Sequence, residues 1–287
     1  MYDAIIFLYQ VVFSISLFIL ISTGLAVIFG MMKVINLAQG EFIMLGAYFA
    51  LLGEVMGLPF ILSALLAMIG VGLFGVLVER LLIRFLYGRL TDTLLATWGL
   101  SLLMIGAVTT FLGPQVAGVS VETGRIAVGE LYSVSVYNLY IILVAFAALA
   151  SCWALWRYTR FGMIARAVMA NPGMTSALGV DCHKYYMLTF GIGSALSGLA
   201  GAMLAPIVGT QPTMGGLYVA QAFVSVITGG ELPFLGTLLA GGLFGTTNGV
   251  LSYAYSQVIG EIGVFLIAIV LLRFLPHGMT SQKGRAQ

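Results

Sequence analysis

No charged side chain interrupts residues 5–29, and uncharged, mostly apolar runs recur at 137–156 and 186–209. A bilayer core about 30 Å thick takes about 20 apolar residues of helix to cross, and within it every backbone amide must be satisfied internally. Runs of this length therefore fold as membrane helices. The rest of the chain offers no competing option: 61% of its 287 residues are hydrophobic and 8% are charged, too few charges to clothe a water-facing surface. The expected fold is an all-α polytopic membrane protein with about 8–10 transmembrane helices, broken or re-entrant segments among them.

Successive spans can be placed from the interruptions. After residues 5–29, the run MMKVINLAQGEF introduces Lys33, Asn36, Gln39 and Glu41 before a second span or half-span that reaches Met56. Pro59 opens a third span, closed by Glu79-Arg80; residues 91–112 make the fourth and Tyr137 to Trp156 the fifth. A sixth, at 186–209, is rich in Gly and Ser of the kind that lets helices approach closely. Residues 217–230 are short for a crossing, Gly229-Gly230-Glu231-Leu232-Pro233 breaks the chain, and a second small-residue helix and a last span at 257–275 follow. The whole of 1–287 reads as one membrane domain, with a polar loop at 157–185 and a basic tail at 276–287.

Basic residues set the orientation. They gather as Arg80, Arg84 and Arg89, then Arg157, Arg160, Arg166 and Lys184, then Arg273, Lys283 and Arg285, and such clusters mark the cytoplasmic side. The first residues carry no basic side chain and are expected outside, as is the polar stretch 113–136 with Glu122, Arg125 and Glu130. An outer N-terminus and an inner C-terminus require an odd number of crossings, about nine, or eight or ten if a short segment is re-entrant. The start lacks the basic n-region and cleavage site of a signal peptide. Cys152 and Cys182 have no disulfide or metal spacing.

Ionisable groups at membrane depth call for a functional explanation. Lys33, Asn36, Gln39 and Glu41 form the densest polar interruption, and irregular backbone there is tolerated only inside protein or beside water. Two readings stand: a solute path lined by a discontinuous helix, or an interface at which Lys33 and Glu41 pair or snorkel. Glu54, Glu79 and Glu261 lie near span ends and are read as interfacial. No phosphate-binding loop, HExxH pair or chain of carboxylates appears, so no enzyme and no self-powered pump is indicated. No cofactor or metal is expected, and nothing points to nucleic acid.

These segments carry a resemblance. GLAVIFGMMKVINLAQGEFIMLGAYFA and LVERLLIR at 77–84, the loop TRFGMIARAVMANPGMTSALGV, and PTMGGLYVAQAFVSVITGG followed by GTLLAGG resemble permease subunits of ATP-binding-cassette importers for branched-chain amino acids, urea and short amides. The likeness runs from about residue 10 to 280 in order and spacing. Thr159, Arg160, Gly162, Arg166, Asn171 and Met174 look close to the urea and amide branch. Where the family pattern has His-Gly-Glu, this chain has Gln39-Gly40-Glu41, and Gln cannot titrate near neutrality. Glu231 replaces a small residue after Gly229-Gly230.

The resemblance implies a pathway made by two permeases, this one and a different partner in a heterodimer. It also implies cytosolic ATPase subunits below, a periplasmic solute-binding protein above, and a bacterial inner membrane around the assembly. The loop would hold a short coupling helix seated on the ATPase, with Thr159, Arg160, Gly162, Arg166, Ala167, Asn171 and Gly179 as its functional residues. Arg166 is expected to bond the ATPase, Ala165, Ala167, Met169 and Met174 to supply apolar contact, and Pro172-Gly173 to turn the chain. By sequence the loop is only weakly amphipathic, which sets the competing reading, a helix lying on lipid, at a disadvantage. Residues expected along the translocation path are Asn36, Gln39, Glu41, Thr213, Gln221 and Glu231. The alternatives are a stand-alone secondary transporter or channel, and a membrane scaffold without transport.

Overall fold

The computed structural model describes residues 2–121, 124–128, 132–276 and 278–280. The expected tail cations Lys283 and Arg285, with Glu122, Glu130 and His277, lie outside them. Eleven α-helices follow in order among the described residues, with one short 3-10 helix (Ile83–Phe85) after the third: α1 (Tyr2–Met32), α2 (Gln39–Val55), α3 (Phe60–Leu81), α4 (Leu90–Leu112), α5 (Val136–Tyr158), α6 (Arg160–Ala170), α7 (Pro172–Ala177), α8 (Cys182–Val208), α9 (Gly215–Gly229), α10 (Pro233–Ala254) and α11 (Gln257–Phe274).

Seven of these (α1, α3, α4, α5, α8, α10 and α11) are long and apolar enough to cross a membrane. The chain is an all-α polytopic membrane protein, as its sequence indicates. At about 1.5 Å per residue, α2 and α9 reach only about 25 and 22 Å, short of a full hydrocarbon core. Nine crossings are reached only by counting both. The polar stretch between α4 and α5 holds a feature absent from the sequence reading: strands β1 (Arg125–Val128) and β2 (Tyr132–Ser135) pair antiparallel, Arg125 opposite Ser135. Here the pattern is too short and polar to announce itself.

Two compact units divide the chain. One holds Met1–Ser22, Val121–Leu149 and Gln221–Gln287, the other Thr23–Ser120 and Ala150–Ala220. In the first, glycines on α10 receive the opening turns of α1: Gly241 meets Ile19, Gly245 meets Ile15 and Gly249 meets Val11. Phe18 and Phe244 lie 6.3 Å apart in a core completed by Ala240, Val264 and Ala268. The tail closes the end of α9, Met279 N–H donating to Thr228 O at 2.8 Å and Thr280 Oγ1 to Gly229 O at 2.6 Å.

In the second unit α2 is clasped between α3 and α8. The backbone carbonyls approach so closely that a methyl on Gly46 would strike Gly198 and one on Gly201 would strike Ile43 and Ala47. This is the small-residue packing that substitutes for a hydrophobic driving force between membrane helices. On α3 the buried stripe Ser63, Ala67, Val71, Gly75, Val78 recurs at three- and four-residue steps. Phe42 fills the junction edge-on to Phe74 at 6.0 Å and Phe190 at 5.9 Å. The faces left over carry Leu95, Leu102 and Leu103 of α4, all exposed, as lipid contact requires.

Candidate functional site

Between α1 and α2 the helix stops for six residues. Lys33 adopts φ +50°, and its N–H returns to Phe29 O at 2.9 Å, an αL cap in which Lys33 takes the place glycine usually fills. Its side chain is exposed. Lys33 is therefore not part of the buried cluster. Asn36, Gln39 and Glu41 are buried. Asn36 Oδ1 accepts from Ala38 N at 3.1 Å, making the turn that restarts the helix. Leu37 N–H, which has no helical partner, donates to Thr97 Oγ1 at 3.1 Å.

Gln39 and Glu41 do not face one cavity. Two residues apart on a helix they point about 200° from each other, and their partners differ accordingly. Gln39 Nε2 donates to Ser197 Oγ on α8, against Gly24 of α1. Glu41 Oε1 accepts from Ser101 Oγ on α4 at 3.0 Å. Its other oxygen lies where a methyl on Gly215 would come within 2.8 Å, at the first residue of α9. Among the described residues, Asn36 Nδ2, Gln39 Oε1 and Glu41 Oε2 are buried polar atoms without a hydrogen-bond partner. Such atoms in a native interior ask for a ligand, a water or a role.

The other proposed path residues are divided between the two units. Thr213 is exposed in the turn before α9, and Gln221 and Glu231 belong to the first compact unit, Glu231 exposed in the α9–α10 turn. What the sequence reading missed is the hydroxyl row on α4: Thr93, Thr97 and Ser101, all buried, at i, i+4 and i+8. That spacing on an apolar helix was a usable signal, since it puts three hydroxyls on one face. Glu79, read as interfacial, is also buried, its carboxylate accepting from Tyr87 OH. Burial, and then the Glu79 carboxylate beside it, holds the Tyr87 phenol well above its ordinary pKa, so it remains a donor.

The polar loop is two capped helices. Thr159 Oγ1 accepts from Gly162 N at 3.2 Å and starts α6; Asn171 Oδ1 accepts from Met174 N at 2.9 Å and starts α7. Asn171 thus makes the turn expected of Pro172-Gly173, and Pro172 is instead the first residue of α7, where its missing N–H costs nothing. Gly179, at φ +85°, ends α7: its N–H reaches Ser176 O and the N–H of Val180 reaches Thr175 O, the paired bonds of a Schellman cap.

α6 is more sharply two-sided than its sequence suggested. Gly162, Ala165 and Val168 are buried, while Arg160, Met163, Ala167 and Ala170 face out. Two further expectations change. Ala165 packs inward and offers no outer contact. Arg166 turns toward its own chain, its Nη1 donating to Trp156 O at 2.8 Å, where the negative end of the α5 dipole favours a cation. The outward apolar surface consists of Met163, Met174 (66% exposed) and Leu178 (78% exposed). Among the described residues no group of three His, Cys, Asp or Glu is placed to hold a metal.

Comparison with known proteins adds the following. The family model described as branched-chain amino acid transport system / permease component matches residues 7–275. The chain is 28% identical over 280 residues to the high-affinity branched-chain amino acid transport system permease protein LivH of Salmonella typhimurium, covering 92% of this chain and 91% of that one. It is 26% identical over 281 residues to the probable branched-chain amino acid transport permease protein LivH of Methanocaldococcus jannaschii, covering 92% and 89%. With the high-affinity permease protein BraD of Pseudomonas aeruginosa it shares 27% over 281 residues, 92% and 91% of the two chains. No solved structure matches the chain at a comparable level.

Proposed function

This chain belongs to the branched-chain amino acid transport system permease family, and on that premise we propose that it is the membrane subunit of an ATP-driven importer of small neutral solutes. Those solutes are branched-chain amino acids, or urea and short amides. Energy comes from cytosolic ATPase subunits, a second and different permease completes the pathway, and a soluble binding protein delivers solute from outside. In a bacterium the assembly sits in the inner membrane.

The observation that carries this reading is the exposed apolar face of α6 and α7. Water-exposed Met163, Met174 and Leu178 are unfavourable unless covered, yet three separate caps hold them in fixed positions. A face held that rigidly suits a protein groove better than a fluid lipid surface. Flexible methionines suit a docking contact. Closure of the ATPases would displace this face and switch the permease pair between outward and inward access, a rigid-body change between two states. Arg160, Ala167 and Gly179 contribute in different ways: Arg160 and Ala167 lie at the contact, and Gly179 sets the exit of the chain.

Asn36, Gln39 and Glu41, with Thr213, Gln221 and Glu231, are the residues proposed to meet the solute. Selection by the binding protein would leave little need for affinity in this subunit.

The test is Met174→Asp combined with Leu178→Asp. Burying two new carboxylates at a docking contact weakens it by about 2 kcal/mol or more, about 30-fold. The ATPase should no longer co-purify with the permease and solute uptake into vesicles should stop. Retention of a full complement of ATPase by the double variant would refute the docking assignment. Uptake of leucine compared with urea and acetamide by the parent assembly then decides the solute class.

A further inference from the structure

Trp156 stands where three parts of the second unit meet. It is buried near the end of α5. On one side its backbone is bound to α6: Trp156 O accepts from Arg166 Nη1 at 2.8 Å, and Gly162 lies so close to the Trp156 backbone that no Cβ fits between them. Its indole also stands edge-on to Phe161 at 5.5 Å and 85°, and Phe161 stacks on Tyr185 of α8 at 5.6 Å. On the other side the indole Nε1–H donates to Met31 Sδ at 2.9 Å. Met31 is itself buried, and it is the last residue but one of α1.

Two residues beyond Met31 comes Lys33 in the αL conformation, then the unwound stretch that holds Asn36 and leads into Gln39 and Glu41. Helices on either side of that stretch transmit displacement as rods, because their hydrogen bonds lie within the segment. A non-helical link is where a displacement is absorbed as φ/ψ change.

We propose that Trp156 is the positioning residue through which movement of α6 reaches the break at residues 33–38, by way of its bond to Met31. This rests on the reading of α6 and α7 as the ATPase-docking face. Displacement of α6 carries Trp156 with it, since Arg166, Gly162 and Phe161 all hold that residue from the α6 side. Met31 follows, and the break bends while Leu37 stays pinned to Thr97. The side chains beyond the break are then re-aimed without α2 leaving its glycine seam.

The experiment uses the complete assembly in proteoliposomes, with the binding protein and ATP. Trp156→Phe keeps an aromatic ring against Phe161 and leaves the Trp156 carbonyl for Arg166, but removes the N–H. Met31→Leu keeps the volume and removes the sulfur. Each is measured for ATPase co-purification, ATP hydrolysis and solute moved per ATP. Expected are normal co-purification, hydrolysis within about twofold of the parent, and a loss of about fivefold in solute moved per ATP, the scale of one hydrogen bond. Because both variants cut the same link, the double variant should lose no more than either single one.

An unchanged solute-to-ATP ratio in either variant, or losses that multiply in the double variant, would overturn the proposal. So would loss of ATPase binding in Trp156→Phe, which would make Trp156 a mere support for the docking face. The docking reading fails by a different result, ATPase retention by the Met174 and Leu178 double variant.

Discussion

Glu41→Leu separates a carboxylate kept for transport from one kept for architecture. Glu41 is 3% exposed, with one oxygen accepting from Ser101 at 3.0 Å and the other unpartnered against the start of α9. An ionised carboxylate in such surroundings costs several kcal/mol of desolvation. A hydroxyl bond to a charged group returns about 1.5–3 kcal/mol. The N-terminus of α2, where Glu41 lies in the first turn, returns up to about 2 kcal/mol more. The sum leaves little or no net stabilisation. Leucine nearly matches the side chain in volume, and the freed Ser101 hydroxyl can turn to the carbonyl four residues back, as Thr97 does toward Thr93 O at 2.8 Å. The variant should therefore fold as well as the parent or gain about 1–4 kcal/mol, the range seen when buried ionic groups give way to apolar ones. At about 2 °C per kcal/mol for a chain of this size, melting followed by fluorescence-detected size exclusion should rise by about 2–8 °C. Uptake should fall at least tenfold while the ATPase still co-purifies. Glu41→Gln keeps an acceptor for Ser101 without the charge, and so tells which property matters. Full uptake by the leucine variant, or a melting point clearly below the parent, refutes the reasoning: the first outcome makes the carboxylate dispensable, the second makes it structural.

Two further outcomes test the packing. Gly201→Ala places a methyl within 2.7 Å of Ile43 C and 2.9 Å of Ala47 N, so α2 and α8 must separate; after the helix-propensity gain this should cost about 1–2 kcal/mol. Gly99→Ala on α4 meets nothing within 4 Å and should melt at or above the parent temperature; equal shifts in the two variants would contradict the seam. In the first unit, Thr280→Val removes the hydroxyl that accepts from Leu232 N at 3.1 Å and donates to Gly229 O at 2.6 Å. Amide exchange at Leu232 should quicken about tenfold, the scale of a bond worth about 1.4 kcal/mol, and unchanged exchange would show that the tail is not what closes this turn.

The spans were legible because burial in lipid writes length and apolarity directly into sequence. Pro59 and Pro233 marked boundaries for a different reason, a fixed φ, whereas Gly179, expected only as a residue of the coupling loop, proved to be the left-handed cap of α7. The short helices α2 and α9 were readable as segments, but not as crossings, since hydropathy does not say how deep a helix sits. Side-chain direction was less accessible. Arg166 looked like an outward cation because its target, the carbonyl of Trp156 near the end of α5, is a backbone atom that no sequence pattern names. Gln39 and Glu41 looked like one cluster because they are neighbours in the chain, although the 100° step of the helix already forbids a common face.

That divergence also constrains how the broken helix can work. Ser101 holds Glu41 from α4, Ser197 holds Gln39 from α8, and Gly40, Gly46 and Gly201 lock the backbone of α2 between its neighbours. Any rotation of α2 that brought one of the two side chains toward a solute would break the bond of the other and drive glycine backbones into contact. Rotation of the helix is thus the costly motion. The cheap one is bending at 33–38, where Lys33 already occupies an unusual conformation and a single amide, Leu37 N–H, is held by α4. A cycle driven from α6, as proposed above, would have its compliant point in the six residues ahead of α2, with Met31, Lys33, Asn36 and Thr97 setting its stiffness.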